Sequence, residues 1–312
     1  MRVLESLDGV TFNRPILTLG TYDGVHLGHQ RIIEEMVQKG KEMGCETVLF
    51  TFNPHPRMVL FPENHEVRLI DTVPEKLKKL EVLGLDTVVL FPFTIPFSKM
   101  TAHEFVEQIL VNKIHVSQVY VGHDHHFGKD RSGNFEELVH LGNQFGFTVH
   151  QTAAFDWNET IVSSTKIRKA LFEGDVVFAN QLMGKPFCIT GNVISGNQLG
   201  RTIGFPTANL AVDSSEKILP NIGVYAVRVY WQNNWYHGVM NIGNKPTVQI
   251  SNQLSLEVFI FDFNATIYGE QLTVEFHDRL RGEQRFDSIE QLTEQLHKDA
   301  EMARHMLRSI EC

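Results

Sequence analysis

Apolar positions change their period partway along the chain. In the first half, short β-branched, aliphatic and aromatic runs at 16–19, 47–52, 87–91, 118–121 and 148–151 predict strands. Between them, Ile32, Ile33, Met36 and Val37 share one helical face, as do Phe105, Val106, Ile109 and Leu110. Strands alternating with helices predict a parallel sheet with right-handed crossovers. Ligands of such sheets sit beyond the carboxyl ends of the strands. Three polar segments follow strands: YDGVHLGH (22–29), NPHP (53–56) and GHDHHFG (122–128). They are expected to meet at one cleft.

SSTKIRKAL (163–171) predicts a capped helix start, and Asp175 caps a second short helix that ends at Gly184. Beyond Lys185-Pro186 the alternation becomes strand-like. Runs at 187–194, 224–230, 235–241, 254–261 and 272–276, split by Gly, Asn and Pro turns, predict an antiparallel barrel or sandwich. A closing helix starts near Ser288 and lines up Ile289, Leu292, Leu296, Ala303, Met306 and Leu307. The expected organisation is α/β for 1–185 and antiparallel β for 186–312.

At 312 residues there is chain enough for both cores, and 42% hydrophobic against 21% charged residues excludes disorder. The net charge of −9 disfavours nucleic-acid and membrane-surface partners, so any polyphosphate site must be a local basic island. Cys45, Cys188 and Cys312 are distant and odd in number, which predicts neither a disulfide framework nor a zinc site. With no basic-then-apolar leader and no apolar run of membrane length, a cytoplasmic monomer or weak homo-oligomer is expected.

The segment TLGTYDGVHLGHQ carries the sharpest chemistry. A glycine turn after a strand delivers His26 and His29 to the start of a helix, where unpaired N–H groups and the helix dipole favour anions. Imidazole donates hydrogen bonds without demanding a full charge, which suits stabilisation of a phosphate undergoing substitution. Ser164, Thr165, Lys166 and Arg168 read as a second phosphate grip. His123, Asp124, His125 and His126 invite a metal reading, but neighbours on an extended segment point to opposite sides, and a lining role in the cleft fits better. His55, between two prolines, either stiffens its loop or meets substrate.

Residues 15–184 resemble the FMN adenylyltransferase half of the prokaryotic bifunctional riboflavin kinase/FAD synthetase family, through GTYDGVHLGHQ, TFNPHP, VGHDHHFG and SSTKIR. The resemblance implies a Rossmann-like nucleotidyltransferase domain. It implies that Gly20, Tyr22, Asp23, Gly24, His26, His29, Ser164, Thr165 and Arg168 bind ATP, with both histidines catalytic. Asn53 and Asp124 would help hold FMN or a metal, Asn53 standing where the family usually has aspartate.

In the second half, GNVISGNQLGRTIGFPTANL (191–210) carries glycines at 191, 196, 200 and 204 that interrupt a strand, with Arg201 inside a loop whose backbone can approach a polyphosphate. Thr207 and Asn209 offer neutral oxygens suited to Mg2+. In SLEVFIFDF, alternation puts Ser255, Glu257, Phe259 and Phe261 on one face and Leu256, Val258 and Ile260 on the other. A carboxylate among aromatics gains proton affinity and suits a general base, while an edge glutamate facing water fits the same pattern. Residues 187–308 resemble the riboflavin kinase module, through GRTIGFPTANL, NIGVYAV, GVMNIGNKPT, LEVFIFDF, YGEQLTVEF and RLRGEQRF. The likeness implies a barrel in which Gly191, Gly200, Arg201, Gly204, Thr207 and Asn209 handle Mg-ATP. Glu257 would take the proton of the ribityl hydroxyl, and Arg279, Arg281, Glu283 and Phe286 would close a loop over the flavin.

The combined expectation is phosphorylation of riboflavin to FMN, then adenylylation of FMN to FAD with release of pyrophosphate, ATP serving at both sites with Mg2+. An adenylyltransferase for another phosphate, such as phosphopantetheine, is opposed by PTAN and LEVFIFDF. A flavin store without turnover would need neither both histidines nor Glu257.

Overall fold

The computed structural model describes residues 1–63, 68–158, 160–196, 200, 203–212, 214–244 and 254–309. Contacts divide the chain into two compact units, Met1–Ser164 and Thr165–Cys312.

The first unit is built on six strands: β1 (Arg2–Leu4), β2 (Ile16–Leu19), β3 (Thr47–Phe52), β4 (Thr87–Phe91), β5 (Gln118–Gly122) and β6 (Thr148–Thr152). They lie in the order β1-β4-β3-β2-β5-β6, and every pairing is parallel. The edge strand β1 was not expected; three residues, two of them exposed, leave almost no periodic signal. Between the strands run α1 (Leu27–Met43), α2 (Pro56–Leu60), α3 (Val73–Val82), α4 (Ile95–Ser98), α5 (Ala102–Phe105) and α6 (Phe135–Phe145). Beyond α5 the turns widen over Val106–Val111, where the Asn112 N–H reaches the Glu107 carbonyl.

Alternate strand residues feed two cores. Ile16, Leu49, Val88 and Tyr120 pack with Ile32, Ile33, Met36 and Val37 of α1 and Leu80 of α3. Leu17, Val48, Val89 and Val119 pack on the opposite face with Phe105, Val106, Ile109, Leu110 and Leu138. Chain order reverses beside β2: β3 and β4 lie on one side, β5 and β6 on the other. Such a switch point opens a crevice at the carboxyl ends of the strands. The three polar segments follow β2, β3 and β5, which are direct neighbours. A short hairpin, β7 (Asp156–Trp157) with β8 (Thr160–Ile161), completes this unit.

In the second unit, α7 (Ser164–Glu173) and α8 (Val176–Met183), the latter capped by Asp175 and closed by Gly184, precede a barrel. Its strands are β9 (Phe187–Ile194), β10 (Ala208–Val212), β11 (Gly223–Trp231), β12 (Asn234–Asn244), β13 (Leu254–Ile260) and β14 (Gln271–Arg281). They close in the order β10-β13-β12-β11-β14-β9. Full closure removes unpaired sheet edges. Tyr225, Val258, Ile260, Val274, Phe276, Phe187 and Ile189 are buried at alternating strand positions. The closing helix α9 (Ile289–Arg308) is capped by Ser288 and packs Ala300, Ala303 and Leu307 on Val224, Ala226, Val239, Phe205 and Phe261. Ile289 was expected on that apolar side but is exposed, because the first turn overhangs the packed face.

Helices α7 and α8 pack with the barrel. Asn180 donates to the Phe276 carbonyl at 2.8 Å and accepts from the Phe187 N–H, while the Asn221 N–H reaches the Leu171 carbonyl. The compact units therefore divide before α7, ahead of the composition change at 185.

Candidate functional sites

The front site starts with a turn forced through unusual backbone. Between β2 and α1, Gly20 and Gly24 take φ of 155° and 88°, and Tyr22 and Val25 take 49° and 41°. Left-handed φ at a bulky or β-branched residue costs on the order of 1 kcal/mol and persists only where the surroundings hold it. Here Tyr22 is held by its hydroxyl, which donates to Thr18 Oγ1 at 2.6 Å, because the Thr18 proton goes to the Tyr120 carbonyl. Burial pushes the Tyr22 phenol well up. Asp23 is buried; its carboxylate accepts the Ile70 and Asp71 N–H groups, and its carbonyl accepts the Ser164 hydroxyl at 2.9 Å. Asp23 thus braces the turn from within.

The turn ends in a stack. His29 lies 4.4 Å from the Tyr22 ring and 3.6 Å from the His26 ring, nearly parallel to both. His26 caps α1: its Nδ1 accepts the His29 N–H at 3.3 Å. In the neutral ring, the donor is then Nε2. Gly28 lets the His26 ring sit close, since a Cβ there would stand 3.3 Å from it. Burial first, then His26 and Lys76, hold the His29 imidazole well below the ordinary range. Its Nδ1 is buried without a hydrogen-bond partner among the described residues.

Around this stack, Asn53 is exposed at the end of β3, and His55 caps α2 by accepting the Arg57 N–H. Asp124 is exposed after β5, with Oδ1 3.8 Å from where a Gly122 Cβ would be. His125 stacks on Phe127, and burial pushes its imidazole down to about 4. Ser164 opens α7 and touches the front turn through Asp23; Thr165 and Arg168 follow on that helix, in the second unit. Lys76 was overlooked, since a lysine in VPEKLKKLEV reads as part of a solvated face.

The rear site is a row across antiparallel strands. Asn209 of β10 pairs in register with Glu257 of β13, which pairs with Asn241 of β12. All three are half-buried. The Glu257 carboxylate accepts the Ser255 hydroxyl at 2.8 Å and lies 3.5 Å from Thr207 Oγ1. A Cβ on Gly196 would collide with the Asn209 amide, so glycine lets the loop backbone close on it. Further along β12, a Cβ on Gly243 would stand 3.0 Å from Glu283 and 3.3 Å from Asn241. Phe259, on the Glu257 face, packs with Phe205 at 5.0 Å. Asn241 and Gly243 were overlooked because only the barrel register sets them opposite Glu257 and Ser255.

Several of the expected site residues of the barrel stand on strands. PTANL enters strand β10 at Ala208, so Asn209 stands on a strand. Gly191 is likewise a strand residue of β9, its Cα facing Ala211 and Val212, while Gly200 and Gly204 remain on the connection. Arg279 and Arg281 belong to β14 and are already engaged: Arg279 Nη2 bonds the Ile222 carbonyl and Nη1 the Glu173 carbonyl, a fit that leaves no room for a Cβ on Gly174. Arg281 makes a bidentate pair with buried Asp299, at 3.0 and 2.8 Å. Only residues after Gly282 remain as a loop, with Phe286 5.8 Å from the Arg281 guanidinium. Arg201 lies outside the described residues, as does much of GNKPT. Among the described residues, no helix is long and apolar enough to cross a membrane.

Comparison with known proteins finds a family match in each half of the chain. Residues 11–166 match the FAD synthetase family model, and residues 183–307 match that of riboflavin kinase. A bifunctional riboflavin kinase/FMN adenylyltransferase of Haemophilus influenzae is 40% identical over 94% of both chains. The enzyme of that name from Listeria monocytogenes is 38% identical over 95% of this chain and 93% of its own. A crystal structure from Streptococcus pneumoniae, described as a macrolide-efflux protein, aligns with a TM-score of 0.89 at 33% identity, covering 97% of this chain and 98% of that one. The tandem family matches and the near-full-length relatives place this chain in the bifunctional riboflavin kinase/FMN adenylyltransferase family.

Proposed function

We propose that the barrel transfers the γ-phosphoryl group of ATP to riboflavin and that the parallel-sheet unit transfers an adenylyl group from a second ATP to the resulting FMN. The observation carrying this reading is that each unit holds its own polar constellation. One is a stack of imidazoles at a helix start, the other a carboxylate row on a barrel.

In the barrel, Glu257 is held by Ser255 and accepts the proton of the ribityl 5′-hydroxyl as that oxygen bonds to the γ-phosphorus. The bond from the γ-phosphorus to the β-bridging oxygen breaks, and ADP leaves. Thr207 and Asn209 supply neutral oxygens close to a carboxylate, a donor set that fits a hard divalent cation. Mg2+ held there would offset the charge of the ATP phosphates. By the family likeness Gly200, Arg201 and Gly204 bind ATP, and Glu283 and Phe286 bind the flavin.

In the front unit, an FMN phosphate oxygen attacks the α-phosphorus and pyrophosphate departs. His26 and His29 donate to the oxygens that gain charge, and the α1 N-terminus adds its dipole. Ser164, Thr165 and Arg168 hold the phosphates, while Asn53 and Asp124 hold FMN. On this reading adenylyl transfer belongs to residues 1–185 and the kinase to residues 186–312.

Incubation of the protein with riboflavin and Mg-ATP, followed by chromatography of flavins and nucleotides, tests the reading. FMN should appear first and FAD after it, with one ADP and one pyrophosphate per FAD. Unchanged riboflavin, or FMN that never becomes FAD, would overturn it.

A further inference from the structure

One buried cation of the front unit has no place in the chemistry above. Lys76, on α3, is only 7% exposed. Its Nζ donates to the Thr21 carbonyl at 3.2 Å and to Thr51 Oγ1 at 3.4 Å. The Thr51 hydroxyl itself donates to the Thr21 carbonyl at 3.2 Å. The three groups form a polar knot under the turn that carries Tyr22 and Val25 in left-handed backbone. No carboxylate forms an ion pair with Lys76 among the described residues, and Asp71 is taken by Lys79. Burying an ammonium without a paired charge is expensive, and leucine would pack the same helix face at no such cost.

We propose that Lys76 is a positioning residue for adenylyl transfer: it ties the 20–25 turn to β3 and brings its ammonium to the backbone of the turn that carries the stacked histidines, so that they stay fixed as hydrogen-bond donors. The proposal rests on the assignment of His26 and His29 to that reaction. The groups around the stack agree in sign. Tyr22 and His26 both stack on His29, whose proton affinity is lowered by burial first, then by His26 and by Lys76. Burial lowers the affinity of Lys76 itself, while Asp23 on the turn and Asp71 before α3 act to raise it. Two imidazolium rings 3.6 Å apart would repel, and a nearby cation favours the neutral form further. Neutral rings keep the stack closed and the N–H vectors fixed.

The test is FAD formation from supplied FMN and Mg-ATP, followed from about pH 5 to 9 in the full-length protein. Lys76→Met should lower kcat by about tenfold and move the acidic limb up by about one pH unit, because His29 then protonates more easily. Lys76→Arg, which keeps the charge, should restore the limb, and riboflavin phosphorylation in the same samples should be unchanged. A Lys76→Met profile that is lower but superimposable on that of wild type would overturn the proposal. If His29→Ala still makes FAD at the wild-type rate, the underlying site assignment fails instead. Should Lys76→Met not fold, Lys76→Gln, which can still donate to Thr21 and Thr51 without the charge, takes its place: its acidic limb should move up in the same way, and a limb unmoved from that of wild type would contradict the proposal.

Discussion

The front unit makes its site from backbone turns at the carboxyl ends of parallel strands, and the rear unit from side chains in register across antiparallel ones. In the front, burial prepares the groups: Tyr22, His26, Asp23 and Lys76 are almost wholly inside, and half-buried His29 has its imidazole held well below the ordinary range by desolvation first. In the rear, Glu257, Asn209 and Asn241 stand half-exposed, oriented by strand pairing and short hydroxyl contacts. Both reactions move charge among phosphate oxygens, so neither fold needs a covalent nucleophile. A parallel sheet offers helix N-termini at one edge, and a barrel offers aligned side chains on its outer face. Each fold supplies what its geometry makes available.

The difference can be broken first in the rear unit. Asp299→Ala leaves the Arg281 guanidinium unpaired in a site where the two side chains are 15% and 1% exposed, and should destabilise the barrel by about 3–5 kcal/mol. Riboflavin phosphorylation should then fail at lower urea, while FAD formation from FMN fails at the wild-type concentration. In the front unit, Tyr22→Phe removes only the hydroxyl that donates to Thr18 and keeps the ring on His29. It should cost about 1 kcal/mol in urea unfolding, with FAD formation within about twofold of wild type.

Acid sharpens the comparison further. His125 is neutral in the folded protein down to about 4, against an ordinary value of 6.5. As pH falls below 6.5 the unfolded chain takes up that proton first, so front-unit stability declines and levels off below about 4. His29 adds to the same slope. His125→Phe should flatten the dependence of the unfolding midpoint on pH in that window, and an unchanged slope would refute the attribution.

The parallel strands and the HxGH turn were legible because buried strands and amphipathic helices leave strong periods in sequence. The short edge strand β1 left none. PTANL reads as loop because glycines crowd its approach, and only barrel closure makes Ala208–Val212 a strand. Arg279 and Arg281 looked free to meet a ligand, whereas tertiary packing gives them to backbone carbonyls and Asp299. Lys76 was hidden for the opposite reason: its helix pattern permits a solvated lysine, and burial comes from the turn folded over it.

The central claim is that two separate sites on one chain act in succession on a diffusible flavin. Its most direct measurement is flavin chromatography on riboflavin and Mg-ATP with His29→Ala, Glu257→Gln, and an equal mixture of the two. Each loss should be on the order of 100-fold or more. His29→Ala should stop at FMN, Glu257→Gln should leave riboflavin unreacted, and the mixture should deliver FAD. A Glu257→Gln protein that also fails to convert supplied FMN, or a mixture that makes no FAD from two folded variants, would contradict the account.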